Sequence, residues 1–412
     1  MTRLSDKALA NYMSADLPPP SARWQGFPAY NFVGGHNAPE SIPTDLLRQA
    51  TDRVLQREGH TLAFYGLESG PQGYKPLREF LAKKLHKYSA IHCSADDILI
   101  TSGSLQAMDL INMAFLKPGD VVVAEESNYG GVKTRLARLG VEVVTVPLDD
   151  QGMQTDQLEK VLKKLSADGR TPRYIYTIPT IHNPTGSILS LTRRHHLLQL
   201  AETFDTIIIE DECYADLIWD QQRPPSLRGL DNSGRVVYIG TFSKTIAPAF
   251  RVGYMVADPA ILAQILSLKT DAGSGALEQM VLAEFCQEHF DDHLLKLNGL
   301  LKSKLDHLTA TLDEYFGTAI EYSYPPGGIF LWVKFPRAVD TTKLDAIAQA
   351  NGIAVNPGNG WSWGHDASQY IRLCFASPDE QTISEGISRL VQLCQEEFQI
   401  PEVSANTSIT QQ

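Results

Sequence analysis

Long apolar runs are missing from this chain of 412 residues, and with them the stretch of side chains a helix needs to cross a bilayer. Paired cysteines are missing as well. The five that occur, Cys93, Cys213, Cys286, Cys374 and Cys394, are scattered, odd in number and free of C-x-x-C or paired-histidine spacing. That argues against a disulfide framework, a redox centre or a zinc site, and no metal is expected. Positive charge is in short supply: 36 Lys and Arg stand against 48 Asp and Glu, for a net charge of -12. A nucleic acid is therefore disfavoured as the main partner, and the acidity reads as a contribution to solubility. The first residues, Met1-Thr2-Arg3-Leu4-Ser5-Asp6-Lys7, carry mixed charge with no apolar block behind them, so neither a secretory leader nor an anchor is read there, and a cytoplasmic address is expected. There is no internal repeat and no low-complexity block.

What is present is an ordinary globular composition, 43% hydrophobic and 20% charged, in a chain longer than one core usually supports. Short β-rich runs alternate with segments long enough for crossover helices: Ile98-Leu99-Ile100, Val121-Val122-Val123, Val141-Glu142-Val143-Val144, Tyr174-Ile175-Tyr176, Ile207-Ile208-Ile209, Val236-Val237-Tyr238 and Gly253-Tyr254-Met255. This alternation predicts an α/β large domain with a mostly parallel sheet covered by helices on both faces. A helix is expected from about Ser104, with Leu105, Met108, Ile111, Phe115 and Leu116 at helical spacing. Beyond residue 300 the pattern becomes a long amphipathic helix (Leu301, Leu305, Leu308, Leu312), two strands (Ile329 to Val333 and Tyr370 to Phe375) and a closing helix with Ile383, Ile387, Leu390, Val391 and Cys394 on one face. That succession reads as a smaller α+β domain. The expected division is 1–60 for an amino-terminal arm and part of the small domain, 61–299 for the large domain, 300–402 for the rest of the small domain, and 403–412 for a polar, disordered tail.

One lysine stands out. Lys244 lies in Gly240-Thr241-Phe242-Ser243-Lys244-Thr245-Ile246-Ala247-Pro248, among small and apolar neighbours directly after the strand Val236 to Ile239, with Arg251 seven residues on. An amine nucleophile beside two hydroxyls and a guanidinium is the pairing that pyridoxal phosphate requires, with the amine for its aldehyde and the others for its phosphate. An ordinary strand exit with a snorkelling lysine would show the same local composition. Other segments bear on the choice. Thr101-Ser102-Gly103-Ser104-Leu105-Gln106 joins a strand to a helix start, where main-chain N–H groups face an anion; plain N-capping uses similar residues. Asn183 in Ile181-His182-Asn183-Pro184-Thr185-Gly186 is held by a rigid turn and can donate to a phenolic oxygen, although Asn-Pro turns are common without any ligand. Ile207-Ile208-Ile209-Glu210-Asp211-Glu212-Cys213-Tyr214 delivers carboxylates to the carboxyl end of a strand, the edge where open α/β sheets bind ligands. Asp211 is the candidate partner for a pyridine nitrogen; a solvated acidic strand end is the competing reading for Glu210 and Glu212.

In this order the segments resemble the fold-type I pyridoxal-phosphate enzymes, most closely the class I/II aminotransferases of the 2-aminoadipate and aromatic-aminotransferase branch. The resemblance covers nearly the whole chain, including Tyr65 to Tyr74, the Ser-Gly-Ser turn, Tyr129, Asn183 to Gly186, Asp211 with Tyr214, Ser243-Lys244 with Arg251, Pro326 to Phe330, and Arg372. It implies an aspartate-aminotransferase-like fold, pyridoxal 5'-phosphate as cofactor, and transfer of an amino group from an L-α-amino acid to a 2-oxo acid. By the same resemblance Lys244 is the Schiff-base lysine and general acid/base, Asp211 the pyridine-nitrogen partner, and Asn183 and Tyr214 the holders of the phenolic oxygen. Tyr129 stacks on the ring. Ser104, Gln106, Ser243 and Arg251 hold the phosphate, with Thr241 adding a hydroxyl and Leu105 its main chain. Arg372 clamps the substrate carboxylate with Asn183 beside it. Tyr65 reaches the phosphate of a neighbouring subunit, which implies a homodimer with shared active sites.

The chain departs from that pattern at Gly34-Gly35-His36-Asn37-Ala38-Pro39, where relatives carry an apolar residue and proline in place of His36 and Asn37. Gly35, His36 and Asn37 are expected to line a polar substrate pocket, against a purely structural histidine as the alternative. The glycine-rich stretches 271–275 and 358–364 are candidates for a mobile interface loop and a lid. Two other functions are weighed: a different outcome from the same lysine and carbanion (elimination, cyclisation or oxidation), and a ligand-sensing regulator. The regulator is disfavoured because the pattern begins by about Asn31, leaving no room for a DNA-binding module.

Overall fold

The computed structural model describes residues 12, 13, 17, 20, 23, 24, 26–219 and 222–401; the tail expected from residue 403 lies outside them. All seven predicted β runs join one sheet: β1 (Ile98–Thr101), β2 (Val121–Glu125), β3 (Glu142–Val146), β4 (Tyr174–Thr177), β5 (Ile207–Asp211), β6 (Val236–Thr241) and β7 (Gly253–Val256). Its order is β1-β7-β6-β5-β4-β2-β3. Only β7 runs against its neighbours, so the other six strands end on one edge.

The sheet is covered on both faces, which is why its strands read as unbroken apolar runs rather than alternating ones. Along β4, Tyr174 and Tyr176 enter one core with Val122, Val237 and Met255, while Ile175 enters the other with Val123, Ile208 and Val236. The first core is closed by helices α3 (Ser104–Phe115), α4 (Gly130–Arg138) and α7 (Pro259–Leu268), the second by α5 (Thr155–Ala167) and α6 (Leu191–Thr203). Helix α3 starts at Ser104 as predicted and buries Met108 and Ile111.

The smaller sheet consists of β8 (Glu321–Tyr322), β9 (Phe330–Lys334), β10 (Asn356–Pro357) and β11 (Tyr370–Cys374), antiparallel in the order β8-β9-β11-β10. Its register sets Trp332 opposite Arg372. The amino-terminal pair Tyr30–Asn31 runs parallel with Ile353–Ala354 and so attaches to this part of the molecule.

The expected boundary at residues 299 and 300 falls inside a helix. Helix α8 (Ala276–Phe316) runs through it without a break for 41 residues, roughly 60 Å at the helical rise. Leu301, Leu305, Leu308 and Leu312 are buried in one cluster that also contains Phe32, Leu77 and Leu81 from the amino-terminal third and Ile383, Ile387 and Leu390 from the closing helix α10 (Glu380–Phe398). Leu305 is fully buried in this shared cluster. Leu305→Ala is expected to cost about 2–5 kcal/mol through lost transfer energy and a residual cavity, seen as a lower denaturant midpoint at unchanged slope.

Candidate active site

The carboxyl edge of the large sheet, the first residues of β9 and the middle of β11 enclose a cavity of about 310 Å³. Ser104 and Leu105 arrive from β1 and α3, Tyr129 from the end of β2, Asn183 from β4, Asp211 and Tyr214 from β5, and Thr241, Ser243 and Lys244 from β6. Arg251 stands before β7, while Phe330, Trp361, Arg372 and Gly35 close the other side. Residues up to 337 positions apart in the chain (35 to 372) thus share one wall system, those of the large sheet because its parallel strands end together.

One end of the cavity is built for an anion. Helix α3 begins there with no side-chain cap, so its first turn has N–H groups without a capping side chain where Ser104, Thr241, Ser243 and Arg251 line the cavity. The backbone comes unusually close. A Cβ on Gly253 would lie 2.6 Å from the Gly103 carbonyl carbon, and one on Gly103, whose φ is +82°, would lie 2.3 Å from Arg251 Nη2. Thr241 Oγ1 donates to Ser243 Oγ at 2.9 Å, which sets both hydroxyls on the same side. Arg251 adopts φ 53° and donates to the carbonyls of Pro248 (3.1 Å) and Ser102 (3.4 Å).

At the centre, Asp211 Oδ2 accepts from the Tyr176 hydroxyl at 2.8 Å while Oδ1 is buried without a partner. Burial pushes this carboxyl above its ordinary range. A buried acceptor left open costs about 1–3 kcal/mol, so the geometry calls for a donor from the cavity. Asn183 Nδ2 donates to the Tyr214 hydroxyl (3.2 Å) and its Oδ1 accepts from Arg372 Nη1 (3.1 Å), linking the two domains through one side chain. His182 steadies that turn through Thr185 Oγ1 at 2.9 Å and is kept neutral, its pKa lowered by burial to about 3. Tyr129 is fixed through Asn128, whose Oδ1 accepts from the Tyr129 N–H (2.7 Å) and whose Nδ2 donates to buried Glu125 (2.7 Å). Lys244 donates through Nζ to the Gly35 carbonyl, and its amine pKa is lowered, chiefly by burial.

Four sequence candidates fall elsewhere. Gln106 points away from the cavity, its Nε2 on Asp271 and its Oε1 accepting from the Ser102 N–H at 2.7 Å. Asn37 does not line a substrate pocket: its amide donates to the Lys244 main-chain carbonyl at 2.6 Å, so it braces the lysine's turn. His36 folds back over Gly34 and lies 5.8 Å from the Phe27 ring. Burial and the nearby Lys244 charge lower its pKa. Tyr65 is 90% exposed and lines no part of its own chain's cavity. The stretch 358–364 is docked rather than open, with the Asn128 N–H on the Trp361 carbonyl (2.9 Å) and the Trp363 N–H on the Glu126 carbonyl (2.8 Å). The 271–275 stretch is tied down by Asp271, which pairs with Lys269 at 2.6 Å.

Five lining residues had not been assigned from sequence: Met108, Ile178, Cys213, Phe330 and Trp361. Met108 was legible, one turn beyond Leu105 on the same helix face, and Cys213 lies between two assigned residues. Phe330 and Trp361 follow glycine turns, Gly327-Gly328 and Gly358 to Gly360, but only the tertiary fold brings them to the large domain's edge.

A doubly covered, mostly parallel sheet with a buried lysine, an open aspartate and an anion cradle on its carboxyl edge fits an enzyme of the lysine-anchored pyridoxal-phosphate type. The chain belongs to the family of class I and II aminotransferases, which matches residues 33–390. It is 34% identical over 371 residues to aromatic-amino-acid aminotransferase 1 of Thermococcus litoralis, covering 89% of this chain and 88% of that one. To the 2-aminoadipate transaminase of Thermus thermophilus it is 32% identical over 365 residues, covering 87% and 88%. Among solved structures, a kynurenine aminotransferase from Pyrococcus horikoshii superposes with a TM-score of 0.84 at 35% identity, covering 89% of this chain and 91% of its own.

The cofactor this family implies fits the residues present. Asp211 Oδ1 lacks the donor that a protonated ring nitrogen would supply, and the uncapped α3 start with Arg251 matches a phosphate in charge and approach. Lys244→Ala, mixed with pyridoxal 5'-phosphate, is expected to lose the visible absorbance of lysine-bound cofactor, while the unaltered protein shows it; persistence of that band in the variant would exclude Lys244 as the anchor.

Proposed function

We propose that this transaminase moves the amino group of an L-α-amino acid with an aromatic or extended apolar side chain onto a 2-oxo acid, with Lys244 as the proton-transfer residue. The observation that carries the reading is that the Lys244 amine and the Arg372 guanidinium open onto one 310 Å³ cavity, and that the residues beside them which no cofactor contact engages, Phe330, Trp361, Met108 and Ile178, are aromatic or aliphatic. Its cations are already committed in this scheme: Arg251 to phosphate, Arg372 to the α-carboxylate, Lys244 to chemistry. Among the described residues no further guanidinium or ammonium lines the cavity for a side-chain carboxylate. The Thermococcus relative, named for aromatic amino acids, and the kynurenine enzyme support the same choice.

Bound pyridoxal phosphate would supply an electrophilic carbonyl and an electron sink beside the substrate Cα. The protein does the rest. Arg372 offers in-plane donors that fix the carboxylate, and so the direction of the Cα–H bond. Lys244, its pKa lowered by desolvation, holds more free base near neutrality than an exposed lysine and is suited to take up the proton from the substrate Cα. Asp211 would keep the ring nitrogen protonated, Asn183 and Tyr214 would hold the phenolic oxygen, and Ser104, Thr241, Ser243 and Arg251 the phosphate. Phe330 and Trp361 exclude water from the carboxylate end. We assign Tyr65 to the site of a second copy, since it stands exposed beside exposed Leu62 and Phe64, and read the working unit as a homodimer. A cytoplasmic setting suits five cysteines that are all unpaired, and among the described residues no helix is long and apolar enough to cross a membrane.

Sedimentation equilibrium is expected to give about twice the 45.5 kDa chain mass, and a monomer at micromolar concentration would remove the shared-site role of Tyr65. A panel of amino acids with 2-oxoglutarate or pyruvate is expected to yield a new amino acid fastest from phenylalanine, tyrosine, kynurenine or leucine. A clear preference for aspartate or 2-aminoadipate would refute the apolar-pocket reading; ammonia or peroxide without amino transfer would refute transfer itself.

A further inference from the structure

A guanidinium has five N–H donors and two flat faces. In Arg372 both faces are covered: its central carbon lies 3.6 Å from the centre of the Phe330 ring and 3.9 Å from that of Trp361. The donors are only partly used. Nη1 donates to Asn183 Oδ1 (3.1 Å), Nη2 to the Val33 carbonyl (2.9 Å), and Nε is buried with no partner. Burial lowers the Arg372 pKa to about 10, the sign of a cation stripped of water and short of a counter-charge.

The two rings are held differently. Phe330 opens β9, paired with Cys374 on β11, so it belongs to the same sheet as Arg372. Trp361 ends the turn Gly358–Gly360 and is pinned to the large domain: its carbonyl accepts the Asn128 N–H at 2.9 Å, and its ring lies 6.3 Å from that of Tyr129. The outer slice of the sandwich therefore depends on contact between the domains.

We infer that Trp361 is a positioning residue that confines a substrate carboxylate to the plane of the Arg372 guanidinium and thereby selects carboxylates over neutral isosteres. The inference rests on the reading of Arg372 as the carboxylate site. With both faces blocked, an anion reaches only the guanidinium edge, where two parallel N–H···O bonds form. A neutral amide presents one acceptor oxygen and gains little from that edge. Removing Trp361 opens one face to water, which competes for the same donors and lets the carboxylate tilt out of plane.

The test uses cofactor-loaded protein and two non-reacting probes, 3-phenylpropionate and 3-phenylpropanamide, titrated by calorimetry. The unaltered enzyme is expected to prefer the acid. Trp361→Ala and Trp361→Leu are expected to weaken the acid about tenfold and the amide by less than about twofold, with Trp361→Phe restoring most of the preference. The visible absorbance should be the same in all three, and KM for the amino acid should rise more than kcat falls. Trp361→Leu keeps bulk without an aromatic face, so it remains informative if Trp361→Ala does not fold. Equal weakening of acid and amide would overturn the proposal by making Trp361 an apolar wall, and so would no change in either. If the unaltered enzyme does not distinguish the probes and Arg372→Ala binds the acid normally, the carboxylate reading of Arg372 falls first and this inference with it.

Discussion

Covering the seven-stranded sheet on both faces is the constraint on which the rest of the molecule depends. Once its two faces are filled by helices, polar chemistry is left to the strand ends, and six strands end on one edge. The polar residues of the large-domain half of the cavity gather along that edge: Ser104 after β1, Tyr129 after β2, Asn183 beyond β4, Asp211 at the end of β5, Lys244 after β6, and Arg251 just before the antiparallel β7. The exposed alternative would have spread these groups over a surface, where water screens them. At the edge they face one desolvated space, and desolvation shifts Asp211 up and Lys244 down.

Behind that edge lies a buried charge cluster that keeps β5 in place. Arg194 is wholly buried, its Nη1 3.7 Å from both Glu210 and Glu212, with Nη2 bonded to the Pro179 carbonyl and to Thr180 Oγ1. Glu210 also accepts from the Leu227 and Arg228 N–H groups. Removing one member of such a cluster strands a buried charge, at a cost of about 3–5 kcal/mol. Asp211 is thus flanked by two carboxylates whose partners lie inside the protein, and is itself the one that opens onto the cavity. The acidic strand end is neither solvated nor uniformly functional: two carboxylates are structural and one faces the site.

The smaller part completes the site rather than merely covering it. Arg372 crosses from β11 to Asn183, which in turn holds Tyr214, so the carboxylate end and the phenolic end share one bridging side chain. Helix α8 is the rigid connection that makes this registration possible, since it contributes buried residues to the cluster shared by the amino-terminal third and the closing helix. Asn37 ties the amino-terminal segment to the Lys244 turn.

Taken alone, the sequence determined the strands, the start of helix α3 and the polar residues that stand near strand ends, because those signals are local: β-branched runs of strand length, a helix start after a strand, a carboxylate at a strand end. Local signals also named Ser243 and Arg251, which sit near Lys244 along the chain. Only the tertiary structure decided what depends on distant segments meeting. That Gln106 turns to Asp271, that Asn37 donates to the Lys244 carbonyl, that helix α8 runs unbroken through residue 300, and that Phe330 and Trp361 enclose Arg372 are all long-range packing outcomes. Side-chain direction at such positions is set by which neighbour removes it from water, and that neighbour is absent from any short window of sequence.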